Sequence, residues 1–348
     1  MDIRENVPLA PLTTLGVGGS ARYFVQAETE DDVREAVRFA ATRNLSLFVL
    51  GGGSNVVVAD RGWPGMVLKV AIAGIGTAVQ PETARIVAGA GANWDSLVAE
   101  AVQHNWSGME CLSGIPGSVG GTPVQTVGAY GQEVSETIDS VRAFDLKDGD
   151  TVELSNQACG FSYRSSIFNT TARGRFIILN VSFRLTPGGP PSLKYADLQR
   201  HFSDSGNSPT LAQVREAVRQ IRYSKGMLIV PGDENSRSAG SFFKNPVLTG
   251  DQFEDLNRRA ESRGLQVPSY PALQTQHKVS AAWLVEHSGF TKGYKFGEAA
   301  ISSKHALALI NPGRATAADI VQLKEHIQQR VDRAWGVVLE PEPVFVGF

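Results

Sequence analysis

The sequence predicts an α+β protein of more than one domain, and three observations carry that prediction. Strand and helix patterns alternate over the first fifty residues and end in a run of three glycines; two-residue alternation typical of antiparallel strands recurs between 141 and 185; helical spacing dominates after 250. A chain of 348 residues has room for two or three domains of about 100 to 200 residues each.

Composition narrows the function classes. The chain is 42% hydrophobic and 20% charged, as in ordinary soluble proteins, and its net charge of -2 leaves no basic surplus to neutralise a nucleic-acid backbone. A small-molecule partner is expected. Cys111 and Cys159 are the only cysteines, too few for a disulfide framework and without metal-ligand spacing, so no metal is expected. No basic segment leads into an apolar run at the start, and no stretch of about 18 apolar residues occurs, so the expectation is a cytoplasmic protein without a membrane partner.

Each element has its own signal. Gly16, Gly18, Gly19 and Ala21 superficially fit a dinucleotide fingerprint, but Pro8 and Pro11 precede them and a strand pattern at 21–27 follows. That fingerprint needs a strand before and a helix after, so it is rejected. Thr29 and Asp32 form a capping pair for a helix carrying Val33, Ala36, Val37 and Ala40. Residues 45–50 form a buried strand, 66–70 another, and 85–92 begin a second segment leading to a helix with the stripe Trp94, Leu97, Val98, Ala101 and Val102. Residues 141–155 read as a hairpin about Asp148-Gly149, which tolerates positive φ, and 176–185 as a strand with Val181, Phe183 and Leu185 on one face. Ser208 and Pro209 read as cap and first residue of a helix ending near Lys225-Gly226.

A polar stretch at 231–240 suggests a boundary, beyond which helices are expected at 252–263, 279–287 and 316–334, with a strand at 306–310. Residues 226–335 therefore read as a compact α/β domain. The apolar tail 336–348 is expected to add a strand to an earlier lobe and to bring Glu340 and Glu342 with it.

Glycine-rich islands set in apolar context carry the chemistry. Gly51, Gly52, Gly53, Ser54 and Asn55 follow a strand and expose bare backbone N–H groups, which suits a phosphate cradle as well as a plain tight turn. Residues 113–131 hold six glycines and two prolines among Ile115, Val119, Val124 and Val127. A solvated linker has no need of those apolar residues, and buried irregular backbone needs partners for its polar groups; a flat, polar-edged cofactor would supply them. Arg164 lies inside the aromatic and apolar segment 161–168.

Five motifs in one order, LGGGSN at 50–55, SGIPGSVGGTPVQTVGAYG at 113–131, YRSSIF at 163–168, AGSFFKNP at 239–246 and LEPE at 339–342, resemble the UDP-N-acetylenolpyruvoylglucosamine reductase family over nearly the whole chain. The resemblance implies a two-lobed FAD-binding fold of the vanillyl-alcohol oxidase type plus a smaller α/β substrate-binding domain. The lobes would be 1–70 with the tail 336–348, and 71–225; the substrate domain would be 226–335. It implies bound FAD, NADPH as hydride donor, and UDP-N-acetylglucosamine enolpyruvate as substrate. It places FAD on Gly51, Gly52, Gly53, Ser54, Asn55, Ser113, Gly114, Ile115, Pro116, Gly117, Ser118, Gly120, Gly121, Gly128 and Tyr130.

The resemblance assigns catalysis to Arg164, Ser241 and Glu342. Hydride addition to an enol ether conjugated with a carboxylate builds negative charge that a guanidinium can meet bidentately, though an arginine paired with a core carboxylate would look the same in sequence. Glu342, between Pro341 and Pro343 on stiff backbone, would polarise the substrate carboxylate in its protonated form, since two bare carboxylates repel. Ser241 would protonate the α-carbon, although after Gly240 it could also be a turn cap. Tyr195 and Tyr270 would grip the substrate, and Lys225 and Asn245 its diphosphate. The sequence departs from the family pattern at Ser165, at Arg237-Ser238 and at Pro343. Two rival readings are another FAD-dependent oxidoreductase of that superfamily and a nucleotide-sugar or flavin binder without chemistry.

Overall fold

The computed structural model describes residues 1–203, 207–271 and 275–348. The chain forms two compact units, one of residues 1–7, 21–53 and 64–224, the other of 8–20, 54–63 and 225–348.

The first unit is built on two sheets. Ile3–Pro8, Ser20–Ala27, Trp63–Val70 and Leu47–Leu50 form one, in that order, with Leu47–Leu50 parallel to Trp63–Val70. The helix Glu30–Thr42 joins two of these strands and starts as its sequence requires: the Thr29 side chain accepts from Asp32 N–H while Asp32 accepts from the Thr29 backbone. The second sheet runs Asp150–Ser155, Ile138–Asp145, Phe176–Pro187, Thr83–Gly89 and Ile75–Gln80, with Trp106–Ser107 added to Phe176–Pro187. The Asp-Gly hairpin is present, with Asp145 opposite Asp150 and Gly149 at φ 75°. The helix Trp94–Gln103 buries the whole stripe Trp94, Leu97, Val98, Ala101 and Val102 against Ile86, Phe183 and their neighbours. Burial of side chains of this size is worth about 1.5–3 kcal/mol each, which fixes the helix that borders the glycine-rich loop.

The helix Leu211–Ser224 starts later than its sequence suggested. Thr210, not Ser208, supplies the cap: its hydroxyl accepts from Gln213 N–H (3.2 Å), and Gln213 Oε1 accepts from Thr210 N–H (2.8 Å). A threonine with glutamine three residues on satisfies two orphan donors at once, which Ser208-Pro209 cannot match.

In the second unit Val56–Val58 pairs in parallel with Val344–Val346, so the tail does add a strand to an early segment. Two small antiparallel sheets follow, Val247–Leu248 with His277–Val279 and Ser269–Pro271, and Lys295–Phe296 with Ala299–Ile301 and Leu309–Ile310. The expected strand at 306–310 is regular only over its last two residues. The helix expected from 279 begins at Ala281, because Val279 ends a strand and Ser280 caps the helix through Trp283 N–H. The helix Ala317–Trp335 is capped by Thr316 and Asp319, closed by Gly336 at φ 68°, and buries Ile320, Leu323, Ile327 and Val331. The glycines at 16–19 prepare a close approach and no nucleotide site: a β-carbon on Gly18 would lie 2.5 Å from Val58 Cβ.

Candidate active site

The strand Leu47–Leu50 delivers the three glycines onto the 113–131 loop. A β-carbon on Gly52 would stand 2.5 Å from Gly117 Cα and 2.7 Å from Ser118 N, so the two segments meet backbone to backbone. Any side chain there would force them apart. A β-carbon on Gly51 would lie 2.9 Å from Ser118 Oγ, and that hydroxyl is buried with no hydrogen-bond partner among the described residues. A buried orphaned hydroxyl facing side-chain-free backbone is what an anionic ligand would complete. The residues present therefore fit the pyrophosphate of FAD.

The loop is held rigidly. Gly114 N–H donates to Asp95 Oδ1 (2.6 Å), and Gly114 O accepts from Arg222 Nε (3.1 Å). Asp95 in turn accepts from Arg215 (2.6 and 3.1 Å) and Arg219 (2.6 Å). Burial pushes the Asp95 carboxyl up, but the Arg215 hydrogen bond, the Gly114 amide and the two guanidinium charges together hold it below its ordinary value. Burial pulls the Arg222 guanidinium below its ordinary value, opposed by Tyr130, whose hydroxyl it hydrogen-bonds, and by Asp95. These residues were missed in the sequence. The available signal was the spacing of 215, 219 and 222, which puts three arginines on one helical face.

Beneath the loop, Glu110 is fully buried and its carboxylate accepts from Gly108 N–H (2.9 Å), Gln132 Nε2 (2.9 Å) and Ser192 N–H (2.8 Å). It too was missed, although a lone glutamate between Met109 and Cys111-Leu112 marks a buried side chain whose hydrogen bonds must be met. Farther along, Gly120 N–H donates to Ala90 O (2.8 Å), and the loop closes through the single helical turn Gly121–Gln125.

Arg164 sits at the tip of a tight turn in which Ser162 and Ser165 exchange backbone hydrogen bonds (2.9 and 3.0 Å). Its φ of 54° is left-handed, as are those of Thr126 (44°) and Tyr130 (49°). Arg164 Nη1 donates to Thr126 O (3.0 Å) and Nη2 to Gly128 O (3.5 Å), so the guanidinium lies along the end of the glycine loop. Asn169 fixes the turn by donating to Val124 O (2.9 Å) and Arg164 O (3.3 Å). Tyr195 packs edge-on against Tyr130 at 5.4 Å between ring centres and is 42% exposed, which leaves a face open to a ligand.

The second unit carries the other expected residues. Phe243 bridges Pro341, Lys244 N–H donates to Glu340 O (2.9 Å), and Glu342 N–H donates to Phe242 O (2.8 Å). This pairing sets Phe242 opposite Glu342 with Ser241 one residue before it, and Phe242 N–H donating to Leu307 O (2.8 Å) fixes the segment that carries the serine. Asn55 Nδ2 donates to Glu342 O (3.3 Å), so Ser54 and Asn55 belong with this unit while Gly51, Gly52 and Gly53 belong with the first. Asn245 Oδ1 accepts from Ala281 N–H (2.9 Å), which anchors its side chain at the start of the helix Ala281–Glu286. Tyr270 is 55% exposed, and Lys225 is half-buried next to Gly226, whose β-carbon would lie 3.1 Å from that of Asn235 and 3.3 Å from that of Lys304.

Comparison with known proteins adds what geometry alone does not. The FAD binding domain family matches residues 21–155, and the UDP-N-acetylenolpyruvoylglucosamine reductase, C-terminal domain family matches 232–346. A UDP-N-acetylenolpyruvoylglucosamine reductase of Thermobifida fusca is 45% identical over 99% of this chain and 98% of its own length. The chain belongs to the UDP-N-acetylenolpyruvoylglucosamine reductase family. A relative of the same name from Streptomyces coelicolor is 43% identical, covering 99% of this chain and 90% of its own. The solved UDP-N-acetylenolpyruvylglucosamine reductase of Thermus caldophilus superposes with a TM-score of 0.65 at 26% identity, over 99% of this chain and 100% of that one.

As a member of the reductase family the chain is an enzyme, a FAD-dependent oxidoreductase of α+β fold. Among the described residues no group of three or more His, Cys, Asp or Glu side chains is placed to hold a metal ion, and no helix is long and apolar enough to cross a membrane.

Proposed function

We propose that this reductase converts UDP-N-acetylglucosamine enolpyruvate to UDP-N-acetylmuramate with NADPH, a step of peptidoglycan precursor synthesis in the cytoplasm. The observation that supports this reading is the antiparallel pairing of residues 242–244 with 340–342, which brings the segment that carries a hydroxyl donor, Ser241, to the segment that carries a carboxyl, Glu342. When bound, FAD would supply a two-electron carrier able to relay hydride from NADPH, through N5, to the enolpyruvyl β-carbon.

The side chains handle the charge and the proton. Gly51, Gly52 and Gly53 with Ser113, Gly114, Ile115, Pro116, Gly117, Ser118, Gly120 and Gly121 would hold the cofactor, with the Ser118 hydroxyl as a donor for its pyrophosphate. Gly128 and Tyr130 would complete that site. Arg164, with its plane set by the Thr126 and Gly128 carbonyls, binds the substrate carboxylate as negative charge builds there; one such donor is worth roughly 10² to 10³ in rate. Glu342, protonated, donates a hydrogen bond to the same carboxylate. The Ser241 hydroxyl gives its proton to the α-carbon and regains one from solvent, so hydride and proton together saturate the double bond. Tyr195 and Tyr270 enclose the nucleotide, and Lys225 and Asn245 meet its diphosphate. Functionally the chain reads as three domains, two for FAD and one, 226–335, for substrate.

The test is spectroscopic. Purified protein should be yellow, bleached anaerobically by NADPH and recoloured by the enolpyruvyl substrate. Ser241→Ala should leave bleaching intact and slow recolouring at least about a hundredfold, the scale of general-acid help. A colourless protein that takes up no FAD, or equal slowing of both half-reactions in the variant, would overturn these assignments.

A further inference from the structure

The peptide of Glu342 is gripped on both sides within the second unit. Its N–H donates to Phe242 O (2.8 Å), on the strand that carries Ser241, and its carbonyl accepts from Asn55 Nδ2 (3.3 Å). The same asparagine holds the chain two residues on, where Val344 N–H donates to Asn55 O (2.9 Å) and opens the parallel pairing with Val56–Val58. Pro343 lies between these two bonds, buried and without an N–H of its own. Asn55 therefore brackets the Glu342–Pro343 step. Its own approach is fixed as well: the Thr14 hydroxyl donates to Ser238 O (2.6 Å) and lies 3.4 Å from Ser54 O, tying the residue before Asn55 to the segment that leads into Ser241.

We propose that Asn55 is a positioning residue for Glu342, its side-chain amide setting the peptide from which the Glu342 carboxyl is aimed. This rests on Glu342 acting at the substrate carboxylate, as proposed above. The residue type follows from the geometry. An aspartate would turn an oxygen toward the Glu342 carbonyl, an alanine would leave that carbonyl without this donor, and a serine would be too short to reach it. The family resemblance places Asn55 among the cofactor-binding residues; its amide nitrogen also donates to the backbone of a catalytic candidate.

The test uses the FAD-loaded enzyme in separate half-reactions, with Asn55→Ala, the nearly isosteric Asn55→Asp, Glu342→Gln, and the double variant Asn55→Ala/Glu342→Gln. Measured on the FAD-occupied fraction of each Asn55 variant, reoxidation by substrate should slow about 10- to 100-fold more than reduction by NADPH does, the scale of a misplaced group. The double variant should be no slower than Glu342→Gln alone, because a residue acting only through Glu342 adds nothing once that carboxyl is gone. Equal slowing of both half-reactions, or additive effects in the double variant, would overturn the assignment. If Glu342→Gln is slow but Asn55→Asp is normal, the positioning role falls and Glu342 stands; if Glu342→Gln reoxidises normally, the reading of Glu342 itself falls.

Discussion

Arg164 shows how much a single residue's role depends on backbone that its sequence does not announce. A non-glycine residue at φ 54° costs of order 1–3 kcal/mol and persists only where its surroundings over-determine it. Here they do, through the Ser162–Ser165 bridge and the Asn169 side chain. Tyr163-Arg164 in an aromatic segment was visible as a candidate; the left-handed turn was not, because it is held by Asn169, which is itself anchored on Val124, 45 residues before it. Arg164→Lys keeps the charge and loses the planar fork that spans the Thr126 and Gly128 carbonyls. Reoxidation of reduced enzyme by substrate should fall about 10²- to 10³-fold with NADPH reduction preserved. Stopped-flow absorbance of the two half-reactions checks this, and near-normal reoxidation would take Arg164 out of the site.

Among the elements, those fixed by neighbours in sequence were legible and those fixed from afar were not. The capping boxes at Thr29/Asp32 and Thr316/Asp319 and the buried stripe from Trp94 are local chemistry, and each appears where its residues put it. The meeting of Phe242 and Phe243 with Pro341 and Glu342 joins segments that no spacing connects. The glycine turn lies between these cases: three glycines foretell a close approach without naming its partner, which proves to be Gly117-Ser118. Gly52→Ala should therefore cost about 1–3 kcal/mol of local overpacking and weaken FAD binding by about tenfold or more. Flavin absorbance per chain and fluorescence titration of apoprotein measure it, and an unchanged affinity would show that the two segments can part without loss.

Across the whole molecule, carboxylates held in their charged form set the acid limit of stability. Arg175 hydrogen-bonds Asp145 (2.9, 3.0 and 2.5 Å) and, with the Lys147 amide, lowers its pKa from 3.8 to about 2. Glu30, Asp32, Asp95, Asp233 and Asp319 are shifted the same way by their own partners. A depressed folded-state pKa contributes stability that is complete above the unfolded value and lost as pH falls through the folded one. The urea midpoint should hold steady down to about pH 5 and drop between about pH 4 and pH 2, with Asp145→Asn flattening part of that drop. A midpoint that stays level to pH 2 would contradict it. Division of the chain into a unit made of 8–20, 54–63 and 225–348 was not legible at this scale, since short early segments carry no mark of the late residues they join. Only the apolar tail betrayed its strand.

That joining has a consequence for how the protein is born. Residues are synthesised in order, and Glu342 leaves the ribosome 287 residues after Asn55. The glycine turn and its helix can fold on the nascent chain while Val56–Val58 still waits, an unpaired edge, for Val344–Val346. A reductase of this design therefore completes its glycine turn early and receives the Glu342 segment last, and an interrupted translation product would carry an exposed strand.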